Sequence, residues 1–179
     1  MTTCVYVNGV IASDSRVTSG TDINPVFFKK TYNVSGEFNG EKIVGACIAG
    51  NALKKKAFIQ WLEKGAPELE YIPRFQDGLM ALIMTDVGIW LYSNGDFVEG
   101  WDGVSIGSGG DKATGFFNIS KRQGVSVTAQ DCIGAAICPI SGDSCSGGMV
   151  QWISRSNKGT TDMPSTISPD DVNKYSCTM

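Results

Sequence analysis

The segment that decides the fold is residues 2–20, which read TTCVYVNGVIASDSRVTSG. Asn8 and Gly9 stand between two runs of β-branched and aromatic residues, a pattern that predicts a β-hairpin with a two-residue type I′ turn. The turn sets the register of the two strands, because each cross-strand pair is found by counting outward from it. Val7 therefore faces Val10, and the earlier pairs follow in order.

The same register predicts what meets at the open end of the hairpin. Thr3 lies opposite Asp14, with Thr2 next to it along the chain. A hydroxyl at the start of the chain is thus expected within reach of a carboxylate. This arrangement suits a nucleophile, and it suits an ordinary polar strand end equally well.

Length, charge and composition exclude several classes of function. The 179 residues fit a single domain with a sizeable core, and a net charge of −3 gives no reason to expect nucleic acid as a partner. No apolar run approaches the ~20 residues of a membrane-spanning helix, so no membrane association is expected. The N-terminus lacks the pattern of a secretory signal, which makes a cytoplasmic location the expectation.

The chain contains no histidine, and this restricts its possible chemistry. Ser-His and Cys-His mechanisms and His-ligated metals are excluded, so a base must be a carboxylate, a lysine or the α-amine. No CxxC pair is present, and we expect reduced structural thiols, with a disulfide or a zinc cluster as the alternative. No metal or other cofactor is predicted. The six cysteines are Cys4, Cys47, Cys132, Cys138, Cys145 and Cys177.

Beyond the hairpin, the pattern predicts strands, a helix, more strands, two helices and a last strand. An α+β fold of two antiparallel sheets stacked face to face, with helices outside, accommodates this order. We assign residues 1–155 to one domain and residues 156–179 to a polar tail. Predicted strands cover residues 29–34, 42–48, 79–85, 88–93, 97–107 and 147–155; predicted helices cover 51–65, 110–124 and 126–140; residues 19–24 and 67–78 are predicted to be turn or irregular.

Two polar stretches near the N-terminus have both a structural and a functional interpretation. Asp14, in ASDSRVTSG (12–20), is by pattern alone more often a turn-capping carboxylate than a catalytic one. Lys29 and Lys30 follow two phenylalanines, and strand alternation sends one of the two lysines inward. A buried lysine needs a carboxylate partner, and Asp14 is the nearest candidate.

Two further stretches lie later in the chain. SIGSGGDKA (105–113) has the character of a tight turn with Ser108 near a helix N-terminus, and its spacing does not match a phosphate-binding loop. GDSCSGG (142–148) places Asp143 and Ser146 in a turn that local hydrogen bonds alone would explain.

Together, these stretches strongly resemble the β subunits of the proteasome. The matching motifs occur in the family's order between residues 2 and 153: Thr-Thr after Met1, ASDSRVTSG, a lysine sixteen residues after the aspartate, CIAG before a helix, GSGG before another helix, and GDSCSGG. The bacterial two-ring relative HslV is similar in starting with threonine directly after methionine. The resemblance implies a four-layer αββα sandwich, the N-terminal nucleophile hydrolase fold, and a threonine endopeptidase.

The resemblance also assigns roles to individual residues. Those matching the family's catalytic positions are Thr2, freed by removal of Met1, Asp14, Lys30, Ser108, Asp143 and Ser146. Gly50 matches the glycine whose N–H stabilises the oxyanion, and the positions bordering bound substrate are Val17, Thr18, Phe28, Ile48 and Ala52. The implied partners are further copies of the chain in stacked rings, peptide or protein substrates, and an AAA+ unfoldase ATPase or a gating ring.

This chemistry is possible without histidine. A threonine hydroxyl needs an adjacent base, and the free α-amine of Thr2, with an ordinary pKa of about 7.7–8.0, can serve. A lysine with an ordinary pKa of about 10.4 would be mostly protonated, so Lys30 instead keeps the amine neutral by charge repulsion.

Two departures from the family leave other functions open. The hairpin is four residues shorter than usual, an even number that preserves side-chain facing, and residues 67–78 replace a common second helix. A non-catalytic ring or scaffold protein would retain Met1. A stand-alone amidase would act on small amides without an ATPase.

Overall fold

The computed structural model describes residues 2–19, 22–24, 28–66, 78–93, 95–138 and 143–156. The strands in these ranges are β1 (Thr3–Val7), β2 (Val10–Ser13), β3 (Val17–Ser19), β4 (Asp22–Asn24), β5 (Thr31–Tyr32), β6 (Glu37–Phe38), β7 (Glu41–Gly50), β8 (Leu79–Thr85), β9 (Ile89–Ser93), β10 (Asp96–Glu99), β11 (Ser105–Gly107) and β12 (Gln151–Ser154). The helices are α1 (Ala52–Glu63), α2 (Gly110–Arg122) and α3 (Ala129–Ile137).

The N-terminal hairpin has the predicted turn and register. Asn8 and Gly9 both have positive φ, 48° and 79°, as a type I′ turn requires. Val7 pairs with Val10, and the ladder runs outward from there to Cys4 and its partner Ser13. Flanking strands complete a four-stranded antiparallel sheet in the order β11-β1-β2-β12. The hairpin prediction is confirmed.

The second sheet is also antiparallel and has the order β10-β9-β8-β7-β5, with β6 pairing the start of β7. Separately, β3 and β4 form a two-stranded ribbon in which Thr18 pairs with Ile23. The prediction of a turn over residues 19–24 was therefore wrong for β4. Its polar composition concealed the strand, because pairing with β3 satisfies its backbone hydrogen bonds whatever the side chains are.

Three groups of buried side chains show how the elements stack. One lies between α1 and the second sheet (Phe58, Trp61, Leu62, Ala46, Ile48, Leu79 and Ile83 among others). Another lies between the two sheets (Cys4, Tyr6, Ile11, Cys47, Ala49, Leu82 and Met84 among others). The third joins the first sheet to α2 and α3 (Val5, Val7, Ala12, Phe117, Cys132, Ile133 and Val150 among others). The fold is α+β, and this order of layers is compatible with the sandwich expected from the sequence.

Other predicted elements are present with different limits. The strand predicted for residues 97–107 is divided into β10 and β11, because Gly100 and Gly103 lie at a bend where Gly103 has a φ of 84°. The strand predicted for 29–34 shortens to β5. The prediction for residues 67–77 and that of a polar tail from 157 onward fall outside the described residues.

Two chemical features of the described residues bear on function. Five cysteines are free thiols, as predicted, and Cys177 falls outside the described ranges. Burial raises the pKa of Cys4 well above its ordinary value, which makes its thiol unreactive. No helix in the described part of the chain is long and apolar enough to cross a membrane.

Candidate active site

A buried ion pair lies at the open end of the hairpin. Lys30 Nζ is 2.9 Å from Asp14 Oδ1, and the two side chains are 2% and 0% exposed. The ammonium also donates to the carbonyl oxygen of Arg16 at 2.5 Å. Lys30 is buried and Lys29 is exposed, as predicted, although both residues precede β5 and do not lie in a strand. The prediction that Asp14 would partner the inward lysine is confirmed.

The Asp14 carboxylate is held by backbone N–H groups from two further parts of the chain. Thr3 N–H donates to Oδ1 at 2.8 Å. Gly147 and Arg16 donate to Oδ2 at 3.0 and 3.3 Å. Such donors offset the cost of burying the carboxylate, so the ion pair has a fixed position.

A chain of hydroxyl groups connects the other predicted polar residues. Ser146 Oγ donates to Asp143 Oδ2 at 2.7 Å, and Ser108 Oγ donates to the same oxygen at 2.5 Å. Thr3 Oγ1 lies 2.5 Å from Ser146 Oγ. A hydroxyl has one proton, so the Thr3 hydroxyl is the donor in that contact. Partial burial raises the pKa of Asp143, but the hydrogen bonds from Ser108 and Ser146 outweigh it, and the pKa lies below its ordinary value.

Thr2 is buried at the edge of this group, with 4% of its surface exposed. Its carbonyl oxygen accepts from the Ser108 N–H at 2.9 Å. The Thr2 hydroxyl makes no hydrogen bond with another residue in the described ranges. The residue that contacts Asp14 is its neighbour Thr3, through the Thr3 N–H. A Cβ on Gly107, which has a φ of 89°, would lie 1.8 Å from the Thr2 carbonyl oxygen. Only glycine therefore permits this approach.

The predicted oxyanion residue, Gly50, is the last residue of β7 in the second sheet. The Ile48 N–H donates to the Lys30 carbonyl at 3.0 Å, which fixes the end of β7 beside the ion pair. Gly50 is exposed, and its φ of 98° is the left-handed conformation that favours glycine. A Cβ there would lie 1.8 Å from the carbonyl oxygen of Gly78, so a side chain is also excluded by contact.

The predicted substrate-bordering residues occupy different environments. Val17 and Thr18 belong to β3, and Ala52 is the first residue of α1. Phe28 is 39% exposed on the surface, whereas Ile48 is completely buried beneath α1. No substrate is present, so their role in binding stays a prediction.

One functional position was missed in the sequence. Gln151 Oε1 accepts from the backbone N–H groups of Lys30 and Thr31, at 2.9 and 3.3 Å, and its Nε2 donates to the Phe28 carbonyl at 3.0 Å. It thereby fixes the backbone that carries Lys30. The only signal in the sequence is an amide inside the otherwise apolar strand MVQWI (149–153).

The contact of the Thr3 hydroxyl with Ser146 was also missed, as were two glycines that leave room for neighbouring side chains. A Cβ on Gly109 would lie 2.2 Å from the Thr3 hydroxyl oxygen, and one on Gly147 would lie 2.4 Å from the Arg16 guanidinium carbon. Gly109 therefore allows the GSGG segment to approach the start of β1, and Gly147 allows the GDSCSGG segment to approach Arg16, just after β2. Among the described residues, no three histidine, cysteine, aspartate or glutamate side chains are grouped so that they could bind a metal ion.

Solved structures with a similar fold are known. The chain matches Thiobacillus denitrificans BPH with a TM-score of 0.55 and 18% identity, over 85% of this chain and 95% of that one. It also matches Thiobacillus denitrificans BPH in complex with epoxomicin, with a TM-score of 0.56 and 20% identity, over 85% and 96% of the two chains. No family model and no curated protein matches. At this identity the comparison establishes a shared fold.

Proposed function

We propose that this protein is a proteasome-like threonine endopeptidase of the N-terminal nucleophile hydrolase class, with Thr2 as nucleophile after removal of Met1. The observation that carries the proposal is the buried Lys30–Asp14 ion pair at the start of β1. A lysine ammonium with 2% exposure is costly, and a buried charge held in this position supports a chemical task.

In the proposed mechanism, the Thr2 α-amine is the base. The Lys30 charge disfavours a second positive charge nearby and so keeps the amine neutral. Ser108 O–H donates its hydrogen bond to Asp143 Oδ2, so the Ser108 oxygen is available to other groups only as an acceptor. It can therefore accept an N–H of the amine and turn the lone pair toward the Thr2 hydroxyl.

The bond changes balance without a metal or redox partner. The amine takes the hydroxyl proton as Thr2 Oγ1 attacks the substrate carbonyl carbon, and the Gly50 N–H stabilises the oxyanion. The amine then gives that proton to the departing peptide nitrogen, which leaves an ester on Thr2. The same amine then takes a proton from water, which attacks the ester carbonyl carbon. As the bond between that carbon and Thr2 Oγ1 breaks, the amine returns the proton to Oγ1, and the carboxylic acid product leaves.

The fold similarity supports this proposal. Epoxomicin, bound in one of the similar structures, is a proteasome inhibitor. We further propose that the chain assembles into stacked rings, with Thr2 facing an inner chamber, and that an AAA+ unfoldase or a gating ring delivers protein substrates. The measured mass in solution would then be many times the 19.1 kDa of one chain.

The test compares Thr2→Ala with Thr2→Ser and the wild type, on peptide substrates, after intact mass spectrometry has established whether Met1 is absent. Loss of the nucleophile should lower kcat by about 10³-fold or more, whereas serine keeps a hydroxyl and should retain turnover. Wild-type rates in Thr2→Ala would refute the mechanism. A mass that retains Met1 would favour a non-catalytic ring protein, since the base would be in a peptide bond.

A further inference from the structure

A cavity of about 370 Å³ lies beside the candidate active site. Its walls include Phe28, Tyr32, Lys55, Lys56, Ile59 and Glu63. Phe28 and Tyr32 lie two residues before and two residues after Lys30, so the cavity shares its wall with the segment that carries the ion pair. The opposite wall is one face of α1, because residues four apart along a helix lie above one another.

Lys55 is the unusual member of this wall. It is only 5% exposed, and its Nζ lies 5.5 Å from the centroid of the Phe28 ring. No carboxylate in the described ranges is within ion-pair distance of it. Burial lowers the pKa of Lys55, and the charges of Lys30 and Asp14 act on that pKa in opposite directions. Within the described part of the chain, the Lys55 ammonium therefore faces an aromatic ring without a carboxylate partner.

The surrounding charges do not supply the missing partner. Glu63 is eight residues from Lys55 along α1, about 12 Å at the rise of a helix, which is too far for an ion pair. Lys56 adds a second positive charge to the wall, and Lys29 Nζ lies 5.8 Å from the centre of the Tyr32 ring. Among the described residues that line the cavity, two lysines face one distant carboxylate, so this lining is net positive.

We propose that this cavity binds an acidic side chain of the substrate, and that Lys55 determines the preference. This inference rests on the proposed function, since the occupant is the Asp or Glu residue on the N-terminal side of the cleaved bond. Its carboxylate would take the position of the missing partner, and its methylene groups would contact Phe28 and Ile59. An apolar side chain would leave the ammonium unpaired and is disfavoured.

The experiment measures kcat/KM for two fluorogenic peptides that differ only in Glu or Gln immediately before the cleaved amide. The proteins are the wild type, Lys55→Met, Lys55→Gln, and the matched control Lys64→Met, which removes an exposed lysine just after α1. We expect the wild type to prefer Glu by about tenfold or more, as for a hydrogen bond to a charged group. The preference should fall to about onefold in both Lys55 variants and persist in Lys64→Met.

A second measurement separates this inference from the proposed mechanism. Isothermal titration calorimetry of Thr2→Ala, with and without Lys55→Met, uses peptide amides that end in Glu or Gln. A Glu preference that Lys55→Met abolishes supports the cavity, even if no peptide is turned over and the peptidase proposal fails. Equal binding of the two peptides, no binding of either, or a turnover preference that survives Lys55→Met would overturn the inference.

Discussion

Replacing Asp14 with asparagine tests whether the ion pair organises the site. The change keeps the side-chain shape but replaces one carboxylate oxygen with an NH₂ group. One oxygen of Asp14 accepts from Lys30 and Thr3, and the other accepts from Gly147 and Arg16. Asparagine offers one acceptor atom, so in either orientation of the amide two donors face another donor.

The expected loss of stability is large because every group involved is buried. Removing one partner of a buried ion pair costs about 3–5 kcal/mol, since the remaining charge is left uncompensated. Each N–H left without an acceptor adds about 1–3 kcal/mol, although relaxation recovers part of this. We therefore expect Asp14→Asn to lower the free energy of unfolding by about 4 kcal/mol. For a domain of this size that corresponds to a fall in Tm of roughly 10 °C.

The assay is denaturant and thermal unfolding of Asp14→Asn, Lys30→Met and the double variant. Asp96→Asn, which changes an exposed aspartate, is the matched control and should alter stability by less than about 0.5 kcal/mol. In the double variant the unpaired charge is gone, so its loss should be smaller than the sum of the two single losses by about 1–3 kcal/mol.

Two results would refute this reasoning. A loss below about 1 kcal/mol in Asp14→Asn would mean that the carboxylate does not balance a buried charge. Strict additivity of the two single variants would mean that Lys30 and Asp14 do not interact, despite the 2.9 Å between their atoms.

Three further variants test other parts of the structure. Lys55→Met should raise the free energy of unfolding by about 1 kcal/mol at neutral pH. Burial lowers the pKa of this lysine only in the folded state, so the gain should shrink as the pH rises toward 10.5. Urea unfolding at several pH values measures this dependence. The pKa of Asp143 is lowered in the folded state, so this carboxylate stabilises the fold above its unfolded-state pKa of about 3.8, and the stabilisation is lost as the pH falls through the folded-state pKa. Asp143→Asn should therefore reduce the dependence of Tm on pH in the acidic range. Phe58→Ala, in the fully buried core, should cost about 3–5 kcal/mol in urea unfolding.

The parts of this fold that could be predicted from the sequence are governed by neighbouring residues. The Asn8-Gly9 turn sets its own register, so the meeting of Thr3 and Asp14 followed by counting. The Lys30–Asp14 pair followed from electrostatics, because a buried lysine must find a carboxylate, although Lys30 precedes β5 and is not directed inward by strand alternation. Neither inference needed the rest of the chain.

The parts that could not be predicted depend on contacts between distant segments. Gln151 reaches the backbone of Lys30 across 121 positions, and Ser146 reaches Thr3 across 143. No neighbouring residue in the sequence indicates which buried side chain will accept from which backbone N–H, because many pairings would satisfy the same groups. The strand β4 was missed for a similar reason, since its pairing with β3 and not its composition makes it a strand.

The distribution of glycine links the fold to the chemistry of the site. Gly50 and Gly107 have positive φ values and contact backbone that any side chain would displace, and Gly109 and Gly147 lie against Thr3 and the Arg16 guanidinium. Gly50 lets the end of β7 approach the Gly78 backbone, and Gly107 lets β11 approach the Thr2 carbonyl. Gly109 and Gly147 leave room for the Thr3 hydroxyl and the Arg16 guanidinium. A Cβ at any of these four positions would lie 1.8–2.4 Å from a neighbouring atom, so a side chain there would displace a segment of the candidate site.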